Sequence, residues 1–341
     1  MQHGYGVNAK KLLLCGYFGY GNMGDEAALR ALVCYLTDKG IAVTVAAQRS
    51  GDLSEYADLG VSICDRLSPY SMHQAMDGCD AVIFTGGNHF ENESSRRSLL
   101  YYSALADAAQ RRGIPTMMIA SGLGRMRDGI DRRLALSVLA RFSFAGLRTE
   151  GDILEGRSIF SCEVRSAPDL ALSLSVISGK KENSFAIIPR RDSAAMLKTA
   201  KGLRDLGLVP VVIPLFIGED SVGARGFGEA LGCEVFVSQR VEEIRQRLST
   251  MRLTLTERLH GAVFSLTSST PFMLFSEAKK CRRFADEIEK RARKLETPSP
   301  FVENTENLRS YLAGGESDFS SICRDLSTEL HASLDRMISR L

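Results

Sequence analysis

The fold is decided first by residues 11–26, which read KLLLCGYFGYGNMGDE. An apolar strand predicted over Lys11–Gly16 runs into a turn with four glycines, and the turn opens a helix. Glycine lets the backbone turn sharply and approach a ligand closely, and the amide groups at a helix start attract anions such as phosphate or carboxylate. The segment therefore predicts an α/β protein with an anion site after its first strand.

Four residues of this turn are expected to contact a ligand: Gly21, Asn22, Gly24 and Asp25. The motif is not a dinucleotide fingerprint, because GxGxxG followed by an acid about 20 residues on is not reproduced in that form. It is not a Walker loop either, since no GK[ST] follows. An alternative interpretation is that Asp25 and Glu26, in the first helical turn, only complement the helix dipole.

Outward from this turn, short β-rich runs alternate with segments of helical period. In the first half, strands are predicted over 11–16, 42–47, 61–65, 81–85, 116–120 and 142–147. Helices are predicted over 25–39, 96–112 and 130–141. The strands are continuous apolar runs, which is typical of a parallel sheet with helices on both faces.

The chain then starts a second unit of the same kind. The polar stretch SGKKENS, residues 178–184, is predicted to be a linker, and strand–helix alternation restarts after it. We therefore expect two Rossmann-like parallel-sheet domains, residues 1–177 and 185–315. Residues 316–341 predict one helix, because apolar side chains recur every three or four positions. This helix either crosses back onto the first domain or caps the second.

The composition excludes several classes of function. A length of 341 residues suits two ordinary domains, and a formal net charge of +2 is too balanced for a general binder of polyanions such as nucleic acid. No apolar run approaches the ~18 residues that cross a bilayer, and no signal-peptide region is visible. The eight cysteines form no CxxC pair. We therefore expect reduced thiols, no metal, no cofactor and a cytoplasmic location.

A second candidate site follows the strand 81–85, where the sequence reads TGGNHFENE. The carboxyl ends of parallel strands normally build the ligand site of such a sheet. Asn88, His89 and Glu91 are therefore expected to bind an acceptor substrate, from a polar loop that is itself mobile. The alternative for His89 is a histidine that is simply solvated.

Cationic side chains follow other strands. Arg148 ends an apolar strand of the first half, and Arg190 ends one of the second. The segment Thr256–Gly261, TERLHG, places Arg258 and His260 two residues apart, so that both can face one side while the intervening leucine faces the core. Arginine captures carboxylate or phosphate, and histidine can transfer a proton near neutral pH.

Each of these residues has a second interpretation. Arg148 could form a surface ion pair, His260 could be a buried structural histidine, and Lys280 could belong to a solvated helix face. Taken as functional, they predict a cleft between the domains that binds a small, multiply charged anion. The cations would then face the glycine-rich helix start.

Three segments resemble the polysaccharide pyruvyl transferase family. They are GYFGYGNMGDEAAL at 16–29, APDLALSL at 167–174, and ERLHGAVFSL at 257–266 followed by TPFMLF at 270–275. The resemblance spans roughly residues 11–290 in the same order. It departs from the family in the GGNHFENE loop and around Lys280, where the family has Tyr-Asp-Pro-Lys and this chain has EAKK.

The resemblance implies a fold of the GT-B type and transfer of pyruvate from phosphoenolpyruvate onto a sugar as a cyclic ketal. It implies His260 as acid and base and Asp25 as a base or orienting group for a hydroxyl. It implies donor-binding roles for Arg258, Arg148, Lys280 and Asn22. From their positions at a strand end and in the glycine-rich turn, we add Arg190, Gly21 and Gly24 to the donor-binding residues. The acceptor would be a precursor of a cell-surface polysaccharide; if it is lipid-linked, the enzyme would touch the inner face of the membrane.

Two other functions fit the same residues. The first is a glycosyltransferase that uses a nucleotide-sugar donor. The second is a non-catalytic homologue that binds an anion or a glycan, an interpretation favoured by the altered GGNHFENE loop and opposed by the intact ERLH segment.

Overall fold

A computed structural model describes residues 10–48, 59–92, 95–127, 129–191, 193–303, 308, 311–312 and 318–341. The chain divides into two compact units. The first comprises Met1–Tyr20, Asp25–Leu170 and Thr328–Leu341, and the second comprises Gly21–Gly24 and Ala171–Ser327. The glycine-rich segment after the first strand is therefore shared between the two units.

The first unit is built on a parallel sheet of seven strands. In chain order they are β1 Lys11–Phe18, β2 Ala42–Ala47, β3 Ser62–Asp65, β4 Ala81–Thr85, β5 Thr116–Ser121, β6 Phe144–Leu147 and β7 Val164–Ser166. Their order across the sheet is β3-β2-β1-β4-β5-β6-β7. The strand order reverses between β1 and β4, and open parallel sheets bind ligands beyond the carboxyl ends of the strands at such a point.

Helices connect these strands. They are Met23–Asp38, Pro69–Met76, Arg96–Arg111, Ile130–Leu139 and Glu150–Ile159. The sheet is covered on both faces, since consecutive residues Leu12, Leu13 and Leu14 of β1 are all buried. This explains why the strands are continuous apolar runs in the sequence.

The second unit repeats the plan with a smaller parallel sheet. Its strands are β8 Ser184–Ile188, β9 Val209–Val212, β10 Glu234–Val235, β11 Thr254–Thr256 and β12 Phe272–Leu274. Their order is β10-β9-β8-β11-β12, so the reversal lies between β8 and β11. The helices are Ala194–Asp205, Ile217–Leu231, Val241–Ser249, Leu259–Thr267 and Lys279–Lys294. The predicted fold of two parallel-sheet α/β units is confirmed.

The last helix, Ser320–Ile338, begins in the second unit and returns to the first at Thr328. Within the first unit, Asp335 accepts hydrogen bonds from Tyr35 and Lys39, both at 2.7 Å. Glu163 pairs with Arg336 at 3.0 Å and with Arg340 at 2.6 Å. Of the two arrangements left open by the sequence, the helix that crosses back is therefore the one observed.

The predicted linker is fastened to the second unit. Lys181 donates to the carbonyls of Ser249 and Ser269 and to the hydroxyl of Thr270, each at 2.9 Å. Glu182 donates its backbone amide to the carbonyl of Thr250 at 2.8 Å, and β8 begins at residue 184. The domain bounds inferred from the sequence, and the cleft, stay predictions.

Candidate active site

The segment after β11 is a tightly built strand-to-helix turn. The hydroxyl of Thr256 accepts from the backbone amide of Arg258 at 2.9 Å and donates to the carbonyl of the same residue at 3.0 Å. A β-carbon at Gly261 would collide with that hydroxyl, so the turn needs glycine there. Leu259 is buried, whereas Arg258 and His260 are half-buried, which is the predicted division of faces.

His260 lies against the start of the first helix. A β-carbon at Gly24 would overlap the imidazole atoms Nδ1, Cγ and Cε1. Both residues belong to the second unit. Gly24 is therefore required for space, and the structure brings together two residues that were predicted separately.

The glycine-rich turn is held by the segment after β9. Met23 donates its backbone amide to the carbonyl of Leu215 at 2.9 Å, and Asn22 forms an isolated antiparallel bridge with Phe216. The side-chain oxygen of Asn22 accepts from the amide of Gly24 at 3.2 Å. Asn22 thus caps the helix start, because a side-chain oxygen satisfies an amide that the helix itself leaves without a partner.

Arg258 is oriented by two carboxylates of the helix Ile217–Leu231. Its Nε donates to Oδ1 of Asp220 at 3.0 Å, Nη2 also contacts that oxygen, and Nη2 pairs with Oε2 of Glu219 at 3.0 Å. The other carboxylate oxygen of Asp220 accepts from the amides of Leu215 and Phe216. Burial raises the pKa of Asp220, while the guanidinium of Arg258 opposes the rise.

Two further cations of the second unit, Arg190 and Lys280, act on the same buried thiol as Arg258. The pKa of the buried Cys281 thiol is raised by burial and lowered by Lys280, Arg190 and Arg258, so all three cations lie within electrostatic reach of one sulfur atom. Glu257 fixes the turn after β8 by accepting from the amide of Arg190 at 2.7 Å. The side chains of Arg190 and Lys280 are exposed. The three predicted donor-binding cations therefore act on the same thiol.

In the first unit, two loops meet after β4 and β5. The amide of Gly122 donates to the carbonyl of Gly87 at 3.2 Å, and the hydroxyl of Ser121 donates to the carbonyl of Gly86 at 3.1 Å. A β-carbon at Gly86 would lie 3.5 Å from Oδ1 of Asp25. Asp25 is buried to 6% exposure, close to the strand-order reversal between β1 and β4.

His89 corrects one expectation, because the ring is buried rather than solvated. Nε2 lies 2.8 Å from the carbonyl of Thr85, and the ring packs on Tyr102 with centroids 4.4 Å apart. Since a carbonyl only accepts, Nε2 carries the proton and Nδ1 is left as an acceptor. Burial lowers the pKa of His89 to about 4, the carbonyl of Thr85 opposes this shift, and Arg148 and Arg66 add to it.

The loop around His89 is also more tightly packed than its polar composition indicates. Phe90 and Glu91 are buried, and Asn88 is half-buried. A β-carbon at Gly122 would collide with Oδ1 of Asn88, and one at Gly124 with the stem of Glu91. Of the three residues predicted to bind an acceptor, Asn88 is the most accessible, whereas His89 and Glu91 hold the loop.

Arg148 forms a buried ion pair, not a surface one. Its Nη1 lies 2.9 Å from Oδ2 of Asp169, and the two side chains are 10% and 6% exposed. Asp169 belongs to the APDLALSL segment. The backbone amide of Arg148 donates to the carbonyl of Ser121, so the pair lies beside the two glycine loops.

Arg66 is a buried arginine for which the sequence analysis predicted no role. Its guanidinium donates to the carbonyl of Gly16 at 2.6 Å and to the hydroxyl of Tyr102 at 3.2 Å. It also lies 4.8–6.0 Å from the centroids of four tyrosine rings: Tyr17, Tyr20, Tyr101 and Tyr102. Arg66 thereby ties the glycine-rich turn to the ring that packs on His89. A single arginine in a short loop carries no motif that would have revealed it.

Asp220 and Asp169 were missed for a similar reason. Each is an acid far in sequence from the arginine that it orients, and only the fold brings the two together. The APDLALSL motif, which contains Asp169, was the one available signal, and no role was predicted for its aspartate.

Two absences concern the described part of the chain. Within those residues, no three His, Cys, Asp or Glu side chains come together in a way that could hold a metal ion. No helix found there has both the length and the apolarity needed to cross a membrane.

The fold is that of the GT-B glycosyltransferases and their structural neighbours. UDP-GlcNAc 2-epimerase from Neisseria meningitidis, solved with bound UDP-GlcNAc, is similar with a TM-score of 0.58 and 14% identity, over 96% of this chain and 100% of that chain. Anabaena HepE, solved with UDP and glucose, is similar with a TM-score of 0.58 and 11% identity, over 98% of this chain and 100% of that chain.

The sequence itself decides the family. No curated protein sequence is close enough to count as a relative. The family model described as polysaccharide pyruvyl transferase, however, matches residues 22–278, from the glycine-rich turn to the segment before Lys279. This protein belongs to the polysaccharide pyruvyl transferase family, and the resemblance seen in its motifs is confirmed.

Proposed function

We propose that this protein transfers pyruvate from phosphoenolpyruvate onto a sugar of a cell-surface polysaccharide precursor, where the pyruvate closes a cyclic ketal. The observation that carries the proposal is the arrangement around His260. Its imidazole is held against Gly24, and the fixed guanidinium of Arg258 stands two residues before it. Membership of the family supports the transfer reaction, and this arrangement supports the donor.

The charges of the second unit suit a small dianion. Phosphoenolpyruvate carries a phosphate and a carboxylate, and guanidinium groups bind both in a bidentate manner. Arg190 and Lys280 are exposed, and both act electrostatically on the same thiol as Arg258. We assign these three cations to the donor's anionic groups, with Arg258 oriented by Asp220 and Glu219.

The reaction needs both an acid and a base. A proton added to the methylene carbon of phosphoenolpyruvate makes C2 electrophilic, and a sugar hydroxyl then bonds to C2 and loses its proton. The C2–O bond to phosphate breaks, and the second hydroxyl bonds to C2 and loses a proton in turn. One of the two released protons replaces that spent on carbon, and the other leaves with phosphate. We assign the proton transfers to His260, because imidazole can give and take a proton near neutral pH.

We assign the acceptor to the loops of the first unit. Asn88 is half-buried beside Gly122, and amide groups hydrogen-bond to sugar hydroxyls. Asp25, near Gly86, is the carboxylate that could orient or deprotonate a hydroxyl. Arg148, fixed by Asp169, and the buried His89 and Glu91 would keep this surface in place.

The decisive experiment compares His260→Ala with His73→Ala. His73 is an exposed histidine on the helix Pro69–Met76 and serves as the matched control. We expect His260→Ala to lose phosphate release and ketal formation by at least ~100-fold, which is typical when a general acid–base group is removed. Stabilisation by phosphoenolpyruvate in a thermal shift assay should persist, and His73→Ala should behave as the unmodified protein.

The donor and the acceptor are tested separately. Thermal shifts with phosphoenolpyruvate and with UDP-GlcNAc decide between a pyruvyl donor and a nucleotide-sugar donor, and stabilisation by the second compound alone would contradict the proposal. A panel of lipid-linked amino sugars, analysed by mass spectrometry for the pyruvyl ketal, identifies the acceptor. Near-normal turnover in His260→Ala would remove this residue from the mechanism.

A further inference from the structure

An apolar pair stands exposed at the start of the helix Ile130–Leu139. Ile130 is 75% exposed and Leu134, one helical turn later, is 42% exposed. Residues four apart lie on the same face of a helix, so the two side chains form one patch. Burying a large aliphatic side chain is favourable by about 1.5–3 kcal/mol, so a partner that covered both side chains would gain from their burial.

Arginines surround the pair. Six of them are exposed: Arg96, Arg97, Arg125, Arg127, Arg132 and Arg133. By sequence, the segments 95–97 and 122–134 carry six arginines against two acids, and the described acid, Asp131, pairs with Nε and Nη2 of Arg96 at 2.6 and 3.2 Å. A strongly basic surface therefore stands on a protein whose overall net charge is only +2.

Hydrogen bonds join these segments into one surface. Arg96 and Asp131 connect the starts of two helices, and the side-chain oxygen of Asn92 accepts from the backbone amide of Arg127 at 2.7 Å. The segments continue from the loops after β4 and β5, which carry Gly87 and Gly122. The basic surface thus extends from the same edge of the sheet as the loops assigned to the acceptor.

We propose that this surface, defined by Ile130, Leu134 and the six arginines, docks on an anionic phospholipid bilayer. Arginines bind the phosphates of lipid head groups, while aliphatic side chains enter the boundary with the acyl chains. A soluble polyanion would use the arginines but would leave Ile130 and Leu134 in water, which is why the bilayer is the better match. The inference that this docking serves a lipid-linked acceptor rests on the proposed function. The inference that the surface binds lipid does not depend on it.

The test uses the full-length protein and vesicles without any substrate. Sedimentation is measured with vesicles of phosphatidylcholine alone and with vesicles that contain 30% phosphatidylglycerol. The variant Ile130→Ser/Arg133→Gln is compared with Val222→Ser/Arg225→Gln. The control pair has the same spacing on the helix Ile217–Leu231, where Val222 is 76% exposed and Arg225 is exposed, so it removes the same chemistry elsewhere.

We expect binding to the anionic vesicles only, with release at high salt because screening weakens the arginine contacts. Removing one arginine near an anionic membrane costs roughly fivefold in affinity, and loss of the isoleucine should bring the total to at least tenfold. The control variant should bind like the unmodified protein. Equal loss in both variants, no binding to anionic vesicles at low salt, or binding to heparin in preference to vesicles would each overturn the proposal.

Activity with a water-soluble acceptor sugar tests the membrane docking separately from the proposed function. Ile130→Ser/Arg133→Gln should transfer pyruvate to a water-soluble sugar at the unmodified rate, and lose activity only with acceptors presented in vesicles. If neither the variant nor the unmodified protein uses phosphoenolpyruvate, the proposed function fails. The measured binding to anionic vesicles would still support or contradict the docking proposal by itself.

Discussion

The imidazole of His260 occupies the space that a side chain at Gly24 would need. A β-carbon on Gly24 would overlap three atoms of the ring. Gly24 and His260 therefore pack against each other, and position 24 needs glycine to leave room for the ring.

This contact predicts the effect of Gly24→Ala. The added methyl group should displace the imidazole, reduce pyruvyl transfer by at least tenfold and destabilise the fold by about 1–3 kcal/mol, as overpacking does. In a His260→Ala background the same change should be neutral or stabilising by up to ~1 kcal/mol, because alanine favours a helix over glycine. Urea unfolding of the unmodified protein, the two single variants and the double variant gives the coupling free energy between the two positions.

Gly21→Ala is the control for this cycle. Gly21 has open space around it but a φ of +72°, so alanine there costs backbone strain without touching His260. Its effect should therefore be the same with and without the imidazole. If His260→Ala couples equally to Gly21→Ala and to Gly24→Ala, the predicted contact between Gly24 and His260 is contradicted.

The ion pair of Arg258 predicts unequal roles for its two carboxylates. Asp220 is fully buried, whereas the side chain of Glu219 is 52% exposed. Asp220→Asn should destabilise the protein by about 3 kcal/mol, and Glu219→Gln by no more than ~1 kcal/mol, because exposed ion pairs contribute little. We also expect Asp220→Asn to raise the KM for phosphoenolpyruvate more than it lowers kcat, since it misorients a donor-binding cation. Steady-state kinetics on the two variants would decide, and an unchanged KM would remove Asp220 as a positioning residue.

The buried pair of Arg148 and Asp169 calls for a double-mutant cycle. Asp169→Asn leaves a guanidinium of 10% exposure without its partner, which should cost about 3 kcal/mol. Arg148→Met/Asp169→Asn should recover much of that loss, because no uncompensated charge remains. The free energies of unfolding of the two single variants and the double variant test this. Simple additivity would show that the pair is not coupled.

His89 predicts a loss of stability in mild acid. Its pKa is lowered from 6.5 to about 4 in the folded protein, so between those values the unfolded chain binds a proton that the folded chain does not. Acidification across that window therefore favours unfolding, with a slope of about 1.4 kcal/mol per pH unit and a total of about 3 kcal/mol. Above pH 6.5 or below pH 4 this residue should add no further pH dependence.

The measurement compares urea unfolding at pH 7, 6 and 5 for the unmodified protein, His89→Gln and His73→Gln. The slope attributed to the imidazole should be missing in His89→Gln. It should persist in His73→Gln, where an exposed histidine is removed. If all three proteins lose stability in parallel, the buried neutral ring is not its source.

The fold followed from local patterns in the sequence. Runs such as Leu12–Cys15 can only be strands covered on both faces, and the alternation with helical segments leaves a parallel sheet as the consistent solution. The prediction placed Arg148, Arg190, Arg258 and His260 at strand ends for the same reason. What it misjudged was burial: His89 looked solvated because loop composition carries no information on what packs above it.

The sequence by itself therefore determined the two parallel-sheet units, the family, and the strand ends that carry the chemistry, because period and motif are local properties of the chain. Tertiary structure decided the partners. Asp169 for Arg148, Asp220 for Arg258, Arg66 for Tyr102 and Gly24 for His260 are separated by 21 to 236 residues. Such pairs depend on how the sheets order their strands, because that order sets which distant side chains come into contact.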